Sequence, residues 1–423
     1  MAQLKRFYRG CGCRPQAIQL SDDDKLNNLH LDENTIKRIF NGEIKDGEIP
    51  YNLYLRTAQK LTEALLKGIR GKVGAVSSGK TKLFDRLRNN IFAFSAAKSL
   101  TQLQEYKNQL TDENGEPKSY ARFRQDVTKI GKEFNDVYLK IEYDSAMSMA
   151  QMSDKWQTLK QYDYLEYRTV GDSNVRKAHQ MLDGIVLRSD DPLWSKIYPP
   201  NDWNCRCTVI PAPGSSTNDQ DRQKAQLFAQ SPALKPYFKR NVGTEQVVFN
   251  DDHPYFSRTP IDLAKNKQRQ FMAEENYGMP SVETILNRKL PELNLAATEQ
   301  EAYEQWLNSD KHIFTADGLE WNFNDRWEHV VSHNNEDRWK LINNTKDVLE
   351  NADEVWSYRE KQPDGKFKIY KRYVKYYQNQ PVVFSYDIDE PEKWTMYATN
   401  VDSSGTYTNM RNYVRRGQLL FRK

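Results

Sequence analysis

The chain has 423 residues, with 62 Lys and Arg against 58 Asp and Glu, a net charge of +4, and 38% hydrophobic and 12% aromatic residues. This describes a polar, aromatic-rich globular protein of two or three domains and excludes an intrinsically disordered chain. The chain lacks an apolar run of about 18 residues, and its start, MAQLKRFYRGCGCRPQ, has no apolar signal-peptide centre, so no membrane partner is expected and synthesis is expected to end in the cytoplasm.

From Ser21 onward short amphipathic helices are expected, with Ser21-Asp22 as a cap-like pair, and helices dominate to about residue 160. Among them GAVSSGKT at 74–81 fits the phosphate-loop pattern G-x-x-x-x-G-K-[ST]. Such a loop is delivered by an apolar strand, whereas Leu61, Leu65 and Leu66 before it recur at helical spacing. The stretch therefore reads as an inter-helix loop and not as a nucleotide site. The next helix carries Leu83, Leu87, Ile91 and Phe94 on one face. After the turn TDENGEP, Phe123, Val127, Ile130, Phe134, Val137 and Ile141 form the stripe of one long amphipathic helix.

Past Tyr162 glycine, proline and aspartate multiply, and a compact loop-rich unit with short strands is expected over 161–260. A polar connector follows at 261–292. From 293 to 423 two helices precede the strand-like runs VWSYRE, FKIYKRYVKYY, PVVFSYDI and WTMYATNV, with Pro-Asp-Gly at 363–365 as a turn, so an α+β domain with an antiparallel sheet is expected. The fold class is thus multidomain: a mainly α-helical N-terminal domain (1–160), the loop-rich α+β unit, then the α+β C-terminal domain.

The four cysteines form two Cys-x-Cys pairs, Cys11 with Cys13 and Cys205 with Cys207. Four thiolates, or three with His179 as a substitute, suit tetrahedral zinc, but the spacing is not the usual Cys-x2-Cys, so structural cysteines and no metal or cofactor are the preferred reading. Asp172, Arg176 and His179 read as a charged network holding the loops, because Arg makes bidentate bonds to carboxylates.

RTVGDSNVRKAHQMLDG followed by DDPLWSKIYPPNDWNCRC resembles the phage Mu F-like head-morphogenesis family, through Asp172, Arg176, His179, Asp183-Gly184, Pro199-Pro200 and the triplet Cys205-Arg206-Cys207. FAFSAAKSL upstream and HPYF downstream extend the resemblance to about residues 50–260. It implies a minor capsid protein of a phage or prophage, with portal and capsid proteins as partners and the virion as its location. Less sharply, RWEHVVSHNNEDRWK, FKIYKRYVKYY, VVFSYDI and TMYATN resemble the phage-borne barnase, EndoU, colicin and RelE-like nucleases. That resemblance implies a metal-independent endoribonuclease toxin, an RNA substrate, a small immunity protein, and action in the bacterial cytoplasm after delivery.

Metal-free RNA cleavage needs a base for the 2′-hydroxyl proton, an acid for the leaving oxygen and cations for the phosphorane charge. His329 and His333, at i and i+4, share a helix face and are the candidate pair, although such a pair is often a surface feature. Between Arg359 and Lys375 seven basic residues face two acids, and from Tyr407 to Lys423 five face none. Lys371, Tyr373 and Thr399 are further catalytic candidates, and Arg359, Arg372 and Arg416 candidate substrate contacts. Strand alternation puts Tyr370, Arg372 and Val374 on one face and Lys371, Tyr373 and Lys375 on the other. The competing reading is a purely structural head protein whose C-terminal domain binds nucleic acid without cutting it.

Overall fold

The computed structural model describes residues 1–8, 31–45, 47–69, 80–212, 218–258, 277–310, 312–322, 327, 338–378, 380–403 and 405–423. The chain divides into two compact units, the first of Met1–Lys45, Asn52–Gly71 and Phe94–Thr259, the second of Asp46–Tyr51, Lys72–Ala93 and Pro260–Lys423. No described helix is long and apolar enough to cross a membrane.

Unit 1 is built on α1 (Ala2–Tyr8), α2 (Glu33–Phe40), α3 (Tyr51–Gly68), the second part of α4 (Thr81–Lys107), α5 (Tyr120–Lys132) and α6 (Leu139–Leu159). Local chemistry sets the starts: the Asp32 carboxylate accepts from the Thr35 N–H at 2.8 Å to cap α2, and the Ser119 hydroxyl caps α5. The expected stripe from Phe123 onward is followed only to Phe134. A π-helical segment, Glu133–Tyr138, joins α5 to α6, and its wider turn displaces the buried face by one residue. Val137 is therefore 53% exposed while Tyr138 and Glu142 take the buried positions.

Three short antiparallel strands follow, β1 (Tyr164–Arg168), β2 (Val186–Arg188) and β3 (Thr208–Pro211), in the order β2-β1-β3. Between them lies α7 (Lys177–Gln180), and α8 (Asp219–Gln230) comes after, so this half of unit 1 is carried mainly by turns.

The beginning of α4 belongs to unit 2, with α9 (Val282–Leu286), α10 (Glu299–Asn308) and α11 (Thr345–Glu350). A two-stranded ribbon pairs β4 (His312–Phe314) with β5 (Glu320–Asn322). The main sheet comprises β6 (Glu354–Lys361), β7 (Phe367–Tyr376), β8 (Pro381–Asp387), β9 (Thr395–Ala398) and β10 (Gln418–Arg422), all antiparallel in the order β10-β6-β7-β8-β9. The β6–β7 hairpin turns at Pro363-Asp364-Gly365, where Gly365 has φ +83° and the Asp364 carboxylate accepts from the Lys366 N–H at 2.9 Å. Gly417, at φ +92°, enters β10 so close to β6 that an added Cβ would lie 2.2 Å from the Ser357 carbonyl oxygen.

Candidate functional site

Two polar constellations lie inside unit 1. In the first, Lys98 from α4 and Glu142 from α6 form an ion pair, 1% and 0% exposed. Lys98 also donates to the Phe134 carbonyl at 2.8 Å, and the Tyr8 hydroxyl donates to Glu142 at 2.8 Å. The Tyr255 N–H donates to His253 Nδ1 at 3.2 Å, which leaves Nε2 to carry the proton and donate to the Tyr8 oxygen at 2.9 Å. FAFSAAKSL and HPYF are therefore joined by one buried relay. Burial, reinforced by the nearby Lys98 charge, holds His253 well below the usual imidazole range. The native state keeps this ring neutral while the unfolded chain binds a proton below about pH 6.5, so stability falls as pH drops through that value. The urea midpoint of the full chain is expected to decline between pH 7.5 and 5.5, with His253→Gln flattening that decline.

The second constellation is at the loop-rich end. α7 places His179, 2% exposed, against Cys205 and Cys207, 6% and 8% exposed. Sγ of Cys205 lies 3.7 Å and Sγ of Cys207 3.6 Å from His179 Nδ1. Both thiols are free. Hydrogen bonding from the Cys207 thiol, helped by His179, makes Cys205 the more readily ionised sulfur, while the Cys205 thiolate and burial push Cys207 up. Asn204, just before the pair, adopts φ +54°, a left-handed conformation that Asn tolerates better than most residues. Cys11 and Cys13 lie outside the described residues.

Asp172, Arg176 and His179, expected as one charged network, each take partners elsewhere, His179 on the two cysteines, and Asp183 adds a further anchor. Asp172 forms a bidentate pair with Arg206, both bonds 2.7 Å, and accepts from the Asn174 N–H within its own turn. Arg176 donates to the Trp203 carbonyl at 2.8 Å and pairs with Asp202 at 3.3 Å. Asp183 accepts from the Thr169 N–H at 2.6 Å and its hydroxyl at 2.9 Å. Each residue ties one loop to its neighbour, because the turn at Asp172 ends before α7 begins and sends the side chains to different partners.

In unit 2 the main sheet has the expected alternation. β7 is buried through most of its length on both sides. On one face Lys371 Nζ sits 3.1 Å from Asp85 and 2.6 Å from Asp317, with exposures of 1%, 5% and 0%. Arg88 reaches Asp317 at 2.7 Å, the Tyr373 hydroxyl donates to Asp317 at 2.9 Å and the Tyr386 hydroxyl to Asp85 at 3.3 Å. Asn89 donates to the Ser357 hydroxyl at 2.7 Å and to Gln418 at 3.0 Å. Burial raises the Asp85 carboxyl despite Lys371; burial opposes the Asp317 charge too, yet Lys371 and Arg88 hold that carboxyl well below the usual range. Lys371 and Tyr373 are thus internal ion-network residues.

The opposite face is different. The register aligns Trp356, Arg372, Ser385 and Thr395 across four strands, and Tyr358 and Tyr397 share their face. Arg372 is 0% exposed, and among the described residues none of its guanidinium nitrogens has a hydrogen-bond partner. Its guanidinium carbon lies 4.4 Å from the Tyr413 ring centroid, 5.7 Å from that of Tyr358 and 5.9 Å from that of Tyr370. The buried hydroxyls of Thr395, Tyr397 and Thr399 are also without partners among the described residues. Burial pushes Tyr397 up to about 12, against the pull of the Arg372 charge. Arg416 stacks on Tyr358 at 3.9 Å and Arg359 on Phe367 at 3.7 Å. Arg372 and Arg416 come together over Tyr358 and Tyr413, whereas Thr399 follows β9 and bonds through its N–H to the Pro381 carbonyl, and Lys371 and Tyr373 face the other way. His329 and His333 lie outside the described residues, as does the loop 74–79.

Sequence reasoning missed Lys98, Glu142, Asp85 and Asp317. The available signal was a charge set within an apolar helical pattern, as in LFDRLRNNIF for Asp85 and Arg88.

Residues 102–210 match the family described as Phage Mu protein F like protein. The Mu-like prophage FluMu F protein of Haemophilus influenzae is 40% identical over 65 residues, 15% of this chain and 16% of the relative. The putative capsid assembly protein F of Escherichia phage Mu is 46% identical over 48 residues, 11% of each chain. The similarity therefore spans under a fifth of the length of these curated relatives. No solved structure matches the chain. The matched segment runs from the second part of α4 through α5, α6, the thiol–imidazole cluster and into β3, and this segment is similar to the Phage Mu protein F like family.

Proposed function

We propose that the chain is a minor head protein of a phage or prophage, acting in head morphogenesis beside portal and capsid proteins. The observation that carries this is the family match over residues 102–210, which covers most of the loop-anchoring residues of unit 1. In the phage that encodes it, the chain is expected among the proteins of purified particles by mass spectrometry, and its deletion is expected to leave few filled heads. Normal particles without it would remove this reading.

A second activity is favoured by Arg372. A guanidinium is always charged and carries five N–H donors, and burying it without a hydrogen-bond partner is costly. Stacking over tyrosines offsets part of that cost, about 2 kcal/mol when desolvated. With the hydroxyls of Thr395 and Tyr397, unpartnered among the described residues, this face of the sheet suits an oxyanion, and we read it as the phosphate subsite of an endoribonuclease in unit 2. His329 and His333 act as base and acid, and a small immunity protein protects the producing cell. Full-length protein is expected to cleave RNA in EDTA, leaving 2′,3′-cyclic phosphate ends. Arg372→Met is expected to slow cleavage about 10²–10³-fold, the usual loss of one transition-state donor, and each histidine-to-alanine change about 10²–10⁴-fold. Metal-dependent cleavage, or none of any RNA class, would leave the structural head role alone.

A further inference from the structure

The thiol–imidazole cluster has the spacing of a metal-binding set. Two sulfurs stand at 3.6 and 3.7 Å from the same nitrogen, His179 Nδ1. All three donor atoms lie within 4.8 Å of one another and all three residues are buried. Zinc binds thiolate sulfur at about 2.3 Å and imidazole nitrogen at about 2.0–2.1 Å, so two ligands of a tetrahedron are separated by roughly 3.6 Å. The observed S···N separations match that edge.

We propose that His179, Cys205 and Cys207 form a zinc-binding centre that clasps α7 to the turn before β3. The loop-rich half of unit 1 has three strands of five, three and four residues, little regular structure to hold it, and a metal supplies the cross-link that such small frameworks need. The fourth position faces a small cavity lined by Val170, Arg176, Asn204 and Arg206, of about 10 Å³, which is room for about one water. His179, Cys205 and Cys207 thus supply three ligands, and the cavity leaves room for a solvent ligand in the fourth position.

The test uses the full chain purified without chelator. One zinc per chain is expected by elemental analysis. Replacement by Co²⁺ is expected to give sulfur-to-cobalt charge-transfer absorption in the near ultraviolet and the strong visible bands of a four-coordinate site. Cys205→Ser and Cys207→Ser should each diminish the charge-transfer band, whereas the Cys11→Ser/Cys13→Ser double variant should retain it. The wild-type cobalt titration needs no variant to fold: its failure to develop a thiolate band would overturn the proposal. So would a band unchanged in both Cys205→Ser and Cys207→Ser, or one lost in the Cys11→Ser/Cys13→Ser chain.

Discussion

Replacing Lys98 with methionine is expected to destabilise unit 1 by about 3–5 kcal/mol, the cost of leaving one member of a buried ion pair uncompensated. Glu142 would keep the Tyr8 hydroxyl, but its charge would lie in a 0% exposed position with no cation beside it. The large effect comes from orphaning the partner and not from any great net value of the pair, because desolvation offsets much of the attraction. The double variant Lys98→Met/Glu142→Leu should therefore recover most of the loss. Urea denaturation of the four chains of this cycle gives the coupling directly. A Lys98→Met chain within about 0.5 kcal/mol of the parent would behave like a surface substitution and would contradict the buried pair.

Lys371→Met carries the second large effect, in unit 2. Its ammonium stands between Asp85 and Asp317, so removal leaves two buried carboxylates with Arg88 as the one cation paired with them among the described residues. A loss of about 3–5 kcal/mol is expected, seen as a lower urea midpoint and as faster hydrogen exchange in peptides from β7 and β8. Asp85 is the carboxyl that takes up a proton in response, since its affinity is already raised by burial. The variant's stability should accordingly improve on mild acidification relative to the parent. A solvated phosphate-contacting lysine would behave differently: its loss would leave stability nearly unchanged and alter only the salt dependence of RNA binding.

Features governed by near neighbours in the chain were legible in the sequence. The Pro-Asp-Gly turn, the alternation of β7 and the start of α5 each depend on a few consecutive residues. The helical stripe was legible to Phe134 and then lost, because a π turn leaves no periodic mark until the face has already shifted. Alternation gave the two faces of β7 but not their burial, which depends on what covers them: Lys371 meets Asp85 across 286 positions of chain. Arg372 and Thr399 could be named as candidates from composition and resemblance. That Thr399 lies on the Arg372 side of the sheet follows from strand register, which no local pattern specifies.

That same separation sets a schedule for biosynthesis. Asp85 and Arg88 emerge from the ribosome long before Lys371, and at about 5–20 residues per second the interval is roughly 15–60 s. Throughout it, the leading turns of α4 await their partners with charged and apolar side chains unsatisfied, even after the residues of unit 1 have been made. A nascent chain interrupted before β7 would carry that unfinished surface permanently. Ribosome-bound intermediates of this length are thus natural clients for chaperones or proteases, and the finished ion network is a signature of complete translation.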